Sequence, residues 1–178
     1  MLVWGLGAVA LIVVAAVIVL FNGLVAARNQ VRSAWSDIDV QLTRRHDLVP
    51  QLVAAVQGYA DHERATLVLV AELRTRAMAA ASLRDKAQLE GELAEQVRRI
   101  LALQESYPDL KASANFLALQ RDLVAIEDHL QYARRFYNGA VRDLNNRIET
   151  FPSLLVARAA NFGAAEFFRQ GEGQEAPR

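Results

Sequence analysis

The side chains of this chain that could do chemistry are few. Their densest group is RRHDLVPQLV, residues 44 to 53, which sets Arg44, Arg45, His46, Asp47 and Pro50 close together inside an apolar repeat. His46, His62 and His129 are the imidazoles available for proton transfer or for a metal. A di-iron site between helices needs Glu-x-x-His pairs and further carboxylates, and the sequence has no Glu-x-x-His. Glu127, Asp128 and His129 are consecutive, so on a helix they point in different directions. His62-Glu63 lacks the second histidine of His-Glu-x-x-His. Ser33, Ser36, Ser82, Ser106, Ser113 and Ser153 have no glycine-flanked elbow, and there is no glycine-rich phosphate loop. With no cysteine in the chain, disulfides, thiolate zinc sites and a cysteine nucleophile are excluded together. Catalytic residues, cofactors, metals and a small-molecule substrate are therefore not expected. The contrary reading is a metal-dependent enzyme, or an accessory subunit of a membrane metalloenzyme.

What would position the 44–53 group is helix. Val31, Trp35, Ile38 and Leu42, then Val49, Leu52, Val56 and Tyr59, fall at alternating steps of three and four and so form one stripe. Arg45 interrupts that stripe. A repeat near 3.5 residues predicts partner helices at a shallow crossing angle, as in bundles and coiled coils. Within the repeat, Asp47 reads as an N-cap with Leu48, Val49 and Pro50 as the first turn, where a missing N–H costs little. Arg44, Arg45 and His46 would then close a preceding helix at its negative dipole end. The reading is a joint between two helices, either a kink or a tight reversal. Asp37 and Asp39 precede the arginines closely enough for a polar cluster. It is read chiefly as surface ion pairs worth about 0–1 kcal/mol each, and otherwise as a site for a partner or a lipid headgroup.

Further along, Gly58 to Asp61 is a second break, with Asp61 able to cap a new helix. Residues 62–81 read as helix with Val70, Leu73, Ala77 and Ala80 on one face. Ser82 to Asp85 is a turn. A helix then runs to about Ser106 and buries Leu89, Leu93, Val97, Ile100 and Leu101. SYPDLKAS, residues 106 to 113, reads as a loop around Pro108. From Ser113, as cap, a helix of about 57 Å continues to Thr150, with Phe116, Leu119, Leu123, Ile126, Leu130, Ala133, Tyr137, Ala140 and Leu144 inward. Phe151-Pro152 ends it. Leu154, Leu155, Val156, Phe162, Phe167 and Phe168 then form an apolar segment that either folds back over the core or meets a partner or itself.

The N-terminus is of another kind. No side chain from Met1 to Ala27 is ionisable, and Leu2 to Phe21 is almost wholly apolar. About 20 such residues cross a hydrocarbon core of roughly 30 Å as a helix whose backbone is internally bonded. A cleaved signal peptide is the competing reading, since Val25-Ala26-Ala27 has the small residues of a cleavage site. The absence of a basic n-region and the length of the apolar run oppose it. Arg28 and Arg32 follow the span, with Arg44 and Arg45 beyond, so the positive-inside tendency puts the N-terminus outside and the large domain in the cytoplasm. Charge over the whole chain cancels, 20 basic against 20 acidic residues, and offers no draw to nucleic acid. Eighteen of those cations are arginine, a bias read as genomic composition.

FNGLVAARNQVRSAWSDIDVQLTRRHDLVPQLVAAVQGYADHE (21–63), SYPDLKASANFLALQRDL (106–123) and YARRFYNGAVRDLNNRIETFPS (132–153) together resemble the hallmark blocks of LemA family proteins. The resemblance implies a bacterial single-pass membrane protein with a four-helix bundle and no established enzymatic activity. One branch of that family takes part in forming the magnetosome, a membrane-bounded organelle. The family's usual FGF-like turn with lysine and proline before AEFF departs here to Asn161-Phe162-Gly163-Ala164-Ala165-Glu166-Phe167-Phe168, so a contact made by that lysine is not carried over.

The expectation is an all-α chain: a transmembrane helix (1–23), an antiparallel four-helix bundle with long helices (24–153), an apolar C-terminal segment (154–168) and a disordered polar tail (169–178). It would be a non-enzymatic scaffold or adaptor in the bacterial inner membrane, partnered by the bilayer and by itself or another membrane protein. Asp37, Asp39, Arg44, Arg45, Asp47, Pro50, Phe162, Phe167 and Phe168 are its candidate interaction or structural residues.

Overall fold

The computed structural model describes residues 2–59 and 61–169; Gln170 to Arg178, where the disordered tail is expected, lie outside them. The chain is all-helical, with no strand among the described residues. It begins with α1 (Leu2–Gln57), whose N-terminal part is long and apolar enough to cross a membrane. Then come α2 (Arg64–Ala79), α3 (Leu83–Ala102), the short α4 (Pro108–Ala112), α5 (Ala114–Glu149) and α6 (Ser153–Ala159), with 3-10 turns at Asp61–Glu63 and Leu103–Glu105.

The chain does not reverse at residues 44–50, and no new helix starts at Asp47. α1 runs through this stretch without interruption, Pro50 lies inside the helix, and Asp47 caps nothing. Proline in a helix interior deletes the bond from its own nitrogen to the carbonyl four residues back, which here is that of His46. That carbonyl is not orphaned, because Arg74 of α2 donates Nε to it at 2.6 Å. The guanidinium replaces the missing amide, so the helix continues. Arg74→Ala should therefore cost about 1–3 kcal/mol by stranding a partly buried carbonyl. In a Pro50→Ala background, where an alanine N–H can take the carbonyl, the same change costs about 1 kcal/mol less. A double-mutant cycle by denaturant unfolding measures this coupling; equal costs in both backgrounds would contradict it.

Other boundaries hold or shift for local reasons. α1 does end at Gln57, ahead of Gly58, but Asp61 opens a 3-10 turn and Glu63 occupies the N-cap position of α2. Residues 67–70, apolar enough for a strand, are helical. Ser82 caps α3 by accepting the Asp85 N–H at 3.0 Å. That helix stops at Ala102 and gives way to a 3-10 turn. Residues 106–113 are not wholly a loop. Pro108 stands in the first turn of α4, where its missing donor costs nothing, and Leu110 is buried. Ser113 caps α5 as expected, through Phe116 N–H at 3.4 Å, and all nine expected apolar positions of α5 are buried.

The chain forms two compact units, to both of which α1 and α5 contribute. One comprises Met1–Asp37 with Arg135–Phe167, the other Ile38–Arg134 with Phe168–Arg178. In the second unit the core joins Val49, Leu52 and Val56 of α1, Leu67, Val70 and Leu73 of α2, Leu93, Val97 and Ile100 of α3, Leu110 of α4, and Phe116 and Leu123 of α5. In the first unit Trp35 packs edge-on against Tyr137 at 5.7 Å, and Arg147 donates to the Gly23 carbonyl at 3.2 Å. A Cβ at Gly23 would stand 3.3 Å from that guanidinium, so glycine gives the close approach.

Candidate functional site

Two core-facing positions of the second unit carry opposite charges. Arg45 occupies the α1 stripe between Leu42 and Val49, and Glu90 lies between Ala87 and Leu93 on the inner face of α3; both are buried. The Arg45 guanidinium donates Nη2 to Glu90 Oε2 in a short charge-assisted contact and to the Glu90 main-chain carbonyl at 3.2 Å. Its Nη1 reaches Glu127 Oε2 of α5 at 3.2 Å. Glu127 in turn accepts from Arg134 at 3.0 Å, two turns further along α5. His46 brings Nε2 to 2.8 Å from Glu90 Oε1, off the line of an ideal N–H···O bond, and neither atom has another hydrogen-bond partner among the described residues.

Two cations and two carboxylates thus balance, with an imidazole added. Burying an ion is unfavourable unless its partner and its remaining donors are satisfied. Here Arg45 holds Glu90 at Oε2 and at its main-chain carbonyl, and His46 stands against Oε1. The buried Arg45 Nε has no hydrogen-bond partner among the described residues. Burial is the largest influence on the Glu90 carboxyl and pushes its pKa up. The His46 contact and the Arg45 charge together outweigh it and hold the pKa below the ordinary 4.5. A carboxyl whose pKa is lower folded than unfolded stabilises the fold above its unfolded value and stops doing so as pH falls through the folded one. The contribution of Glu90 to the unfolding free energy should therefore be fully present above the glutamate range and be lost as pH falls below 4.5. A pH series of denaturant midpoints checks this, and Glu90→Gln should blunt the acid limb. For Arg134, burial is the main influence and lowers its pKa, while Glu127 works the other way.

Glu90, fully buried, can neither receive a solute nor hand it a proton, and among the described residues no group of three histidines and carboxylates could hold a metal ion. What the network does is fix α1, α3 and α5 in one register, since a slip of a turn would bury a charge alone.

The expected polar cluster of Asp37 and Asp39 with Arg44 and Arg45 does not form around Arg45. Asp37 is exposed in the first unit. Asp39 approaches Lys86 at 3.9 Å. Arg44 and Asp47 are exposed and line an open groove of about 360 Å³ with Leu48, Ile126 and His129. Arg45 turns inward because it lies on the stripe and Arg44 does not. In the sequence Glu90 and Arg134 have no assigned role, His46 is placed at a helix end and Glu127 in a consecutive run that points in different directions. The structure gathers all four around Arg45. The available signal was a charge at an inner position of two different helices, with opposite signs.

The apolar C-terminal segment folds back in part: Phe168 is buried and Leu154, Val156 and Phe162 are half-buried, whereas Leu155 stays exposed. A short helix, α6, ends with Asn161 in the left-handed region at φ 54°, Asn161 N–H on the Arg158 carbonyl and Phe162 N–H on the Ala157 carbonyl. This is the Schellman arrangement, in which asparagine is tolerated at the left-handed position. It returns Phe162 to α1, where its ring meets Phe21 edge-on at 6.0 Å and carries Arg28 over its face at 4.8 Å. Asn145 then accepts from Ala165 N–H at 2.8 Å and donates to its carbonyl at 3.0 Å, as a side chain standing in for a strand partner. Tyr137 donates to the Glu166 carbonyl at 2.9 Å; burial above all, and the Glu166 carboxylate next, raise its pKa and keep it a phenol donor. Phe167 is exposed, whereas Phe168 is buried in the second unit.

Protein LemA of Metamycoplasma hominis is 26% identical over 153 residues, covering 85% of this chain and 69% of that protein. Two magnetosome proteins of Paramagnetospirillum magneticum, MamQ 2 and MamQ 1, are each 24% identical over 190 residues, covering 92% of this chain and 70% of theirs. The LemA family model matches residues 34–178, which take in the Arg45–Glu90 pair, the Pro50 helix and the folded-back tail. The chain belongs to the LemA family.

Proposed function

We propose that this protein is a non-enzymatic, membrane-anchored helical scaffold that assembles with itself or with another membrane protein at the cytoplasmic face of the bacterial inner membrane. The observation that carries the reading is α1, in which an exposed apolar run from Trp4 to Val19 passes without a break into a helix whose inner face builds a protein core. A lipid-facing stretch fused to a packed stretch ties the position of the domain to the bilayer. In this reading α1, α2, α3 and α5 pack as an antiparallel four-helix bundle, pinned by Arg45 and Glu90 and closed to solutes. The magnetosome names of two relatives support a part in membrane organisation. Exposed apolar side chains on α5, Leu117, Val124 and Tyr132, offer the bundle a face for a partner helix.

The chain lacks cysteine, so a single Gly171→Cys tests the orientation. An impermeant thiol reagent added to intact cells should leave it unlabelled and label it after lysis; labelling from outside would reverse the topology. Crosslinking from Val124→Cys in cells should give a product of defined mass. A chain that stays uncrosslinked in cells and monomeric in detergent at micromolar concentration would remove the scaffold role.

A further inference from the structure

The end of the apolar run meets a surface to which the scaffold reading assigns nothing. Along α1 the side chains are exposed from Trp4 to Val19, contact with protein begins around Leu20 and Gly23, and Leu24 is buried. At this level the first unit closes on α1, through Arg147 on the Gly23 carbonyl and Phe162 on Phe21. Because Tyr137 stands against Trp35 and Arg147 against Gly23, α5 nears the apolar run as its numbers rise. α5 ends at Glu149, two residues past Arg147, and Phe151 lies in the turn that follows, at the end of α5 nearest the apolar run. There the chain turns into α6. Phe151 is 74% exposed and Leu155 60% exposed. Arg158 comes three residues after Leu155, so it lies on the same exposed side of α6. Glu149 is the only acidic residue between positions 144 and 165. An aromatic ring and a leucine open to water, flanked by arginine, are costly in solution but suited to the boundary between headgroups and acyl chains.

We propose that the turn from α5 into α6 is a second membrane contact: Phe151 and Leu155 enter the headgroup–acyl boundary of the leaflet that α1 leaves, and Arg158 faces the lipid phosphates. The inference rests on α1 spanning the bilayer, which fixes the level at which this turn stands. Its consequence is mechanical. A single span can swivel and tilt, whereas a span with a lateral foothold holds the first unit at one angle to the surface.

Depth measurements on the full chain test it. Single cysteines replace Leu155, Val17 or Phe136 (Leu155→Cys, Val17→Cys, Phe136→Cys), each carries an environment-sensitive fluorophore, and the protein is reconstituted in phosphatidylcholine–phosphatidylglycerol vesicles with a nitroxide near the headgroup end of the acyl chain. The label at Leu155 should be quenched several-fold more by the lipid nitroxide than by aqueous iodide. That at Phe136, about 20 Å back along α5 from its end at Glu149, should show the reverse, and that at Val17 should be shielded from iodide. Iodide access at Leu155 with Val17 shielded would overturn the foothold and leave the anchor standing. Access at Val17 would overturn the span and the foothold together. Lipid quenching at Phe136 equal to that at Leu155 would also overturn it, since the first unit would then lie along the membrane rather than touch it at the turn.

Discussion

Glu90→Ala lowers the unfolding free energy of the full chain by about 3–5 kcal/mol, because it leaves the Arg45 guanidinium buried without its main partner. Arg45 is 2% exposed and cannot swing into water. Glu127 offers it one contact, which Arg134 shares. The companion experiment separates removal of a partner from removal of a pair. Replacing both, Arg45→Met with Glu90→Leu, should restore most of the loss or exceed the parent by about 1–4 kcal/mol, since apolar side chains of similar volume carry no desolvation cost. Urea unfolding followed by helical circular dichroism in a mild detergent reads both. If the single substitution costs under about 1 kcal/mol, the range of exposed ion pairs, the pair is not buried in solution.

Phe116→Ala is the second large effect, about 3–5 kcal/mol by lost transfer energy and the cavity left behind. Phe116 is fully buried one turn into α5, behind the Ser113 cap, in the same apolar cluster as Leu110 of α4 and Ile100 of α3. It joins the connection between α3 and α5 to the core, so its loss should be felt in the whole transition and not as local fraying. Phe136→Ala, on the exposed side of the same helix, should stay within about 0.5 kcal/mol. A similar cost for the two would mean that the inward face of α5 has been misassigned.

The helices themselves were legible because apolar side chains recur at steps of three and four. Every inward position expected on α5 is buried, and the Ser113 cap and the Gly58 break stand where the sequence puts them. What misled was local chemistry taken without its tertiary partner. Pro50 and Asp47 together have the form of a helix start, and no local signal reveals that Arg74, 24 positions on, supplies the missing donor to His46. The same limit hid the charge network. Arg45 visibly interrupts the α1 stripe, yet Asp37 and Asp39 were closer in sequence than Glu90, and nearness along the chain outweighed the inner placement of Glu90 on α3. α4 was hidden for an opposite reason: proline read as a breaker, when the first turn of a helix is where it is tolerated. Fold-back of the tail depends on Asn161 adopting a left-handed turn, an option that composition permits but does not require.

The scaffold and the second membrane contact both require the bilayer to hold the apolar end of α1. Flotation of cell membranes carrying the full chain, after an alkaline carbonate wash, measures this directly. The protein should rise with the lipid, and its N-terminal sequence should still include Trp4. Recovery in the carbonate supernatant, with a mature N-terminus close to Arg28, would contradict it.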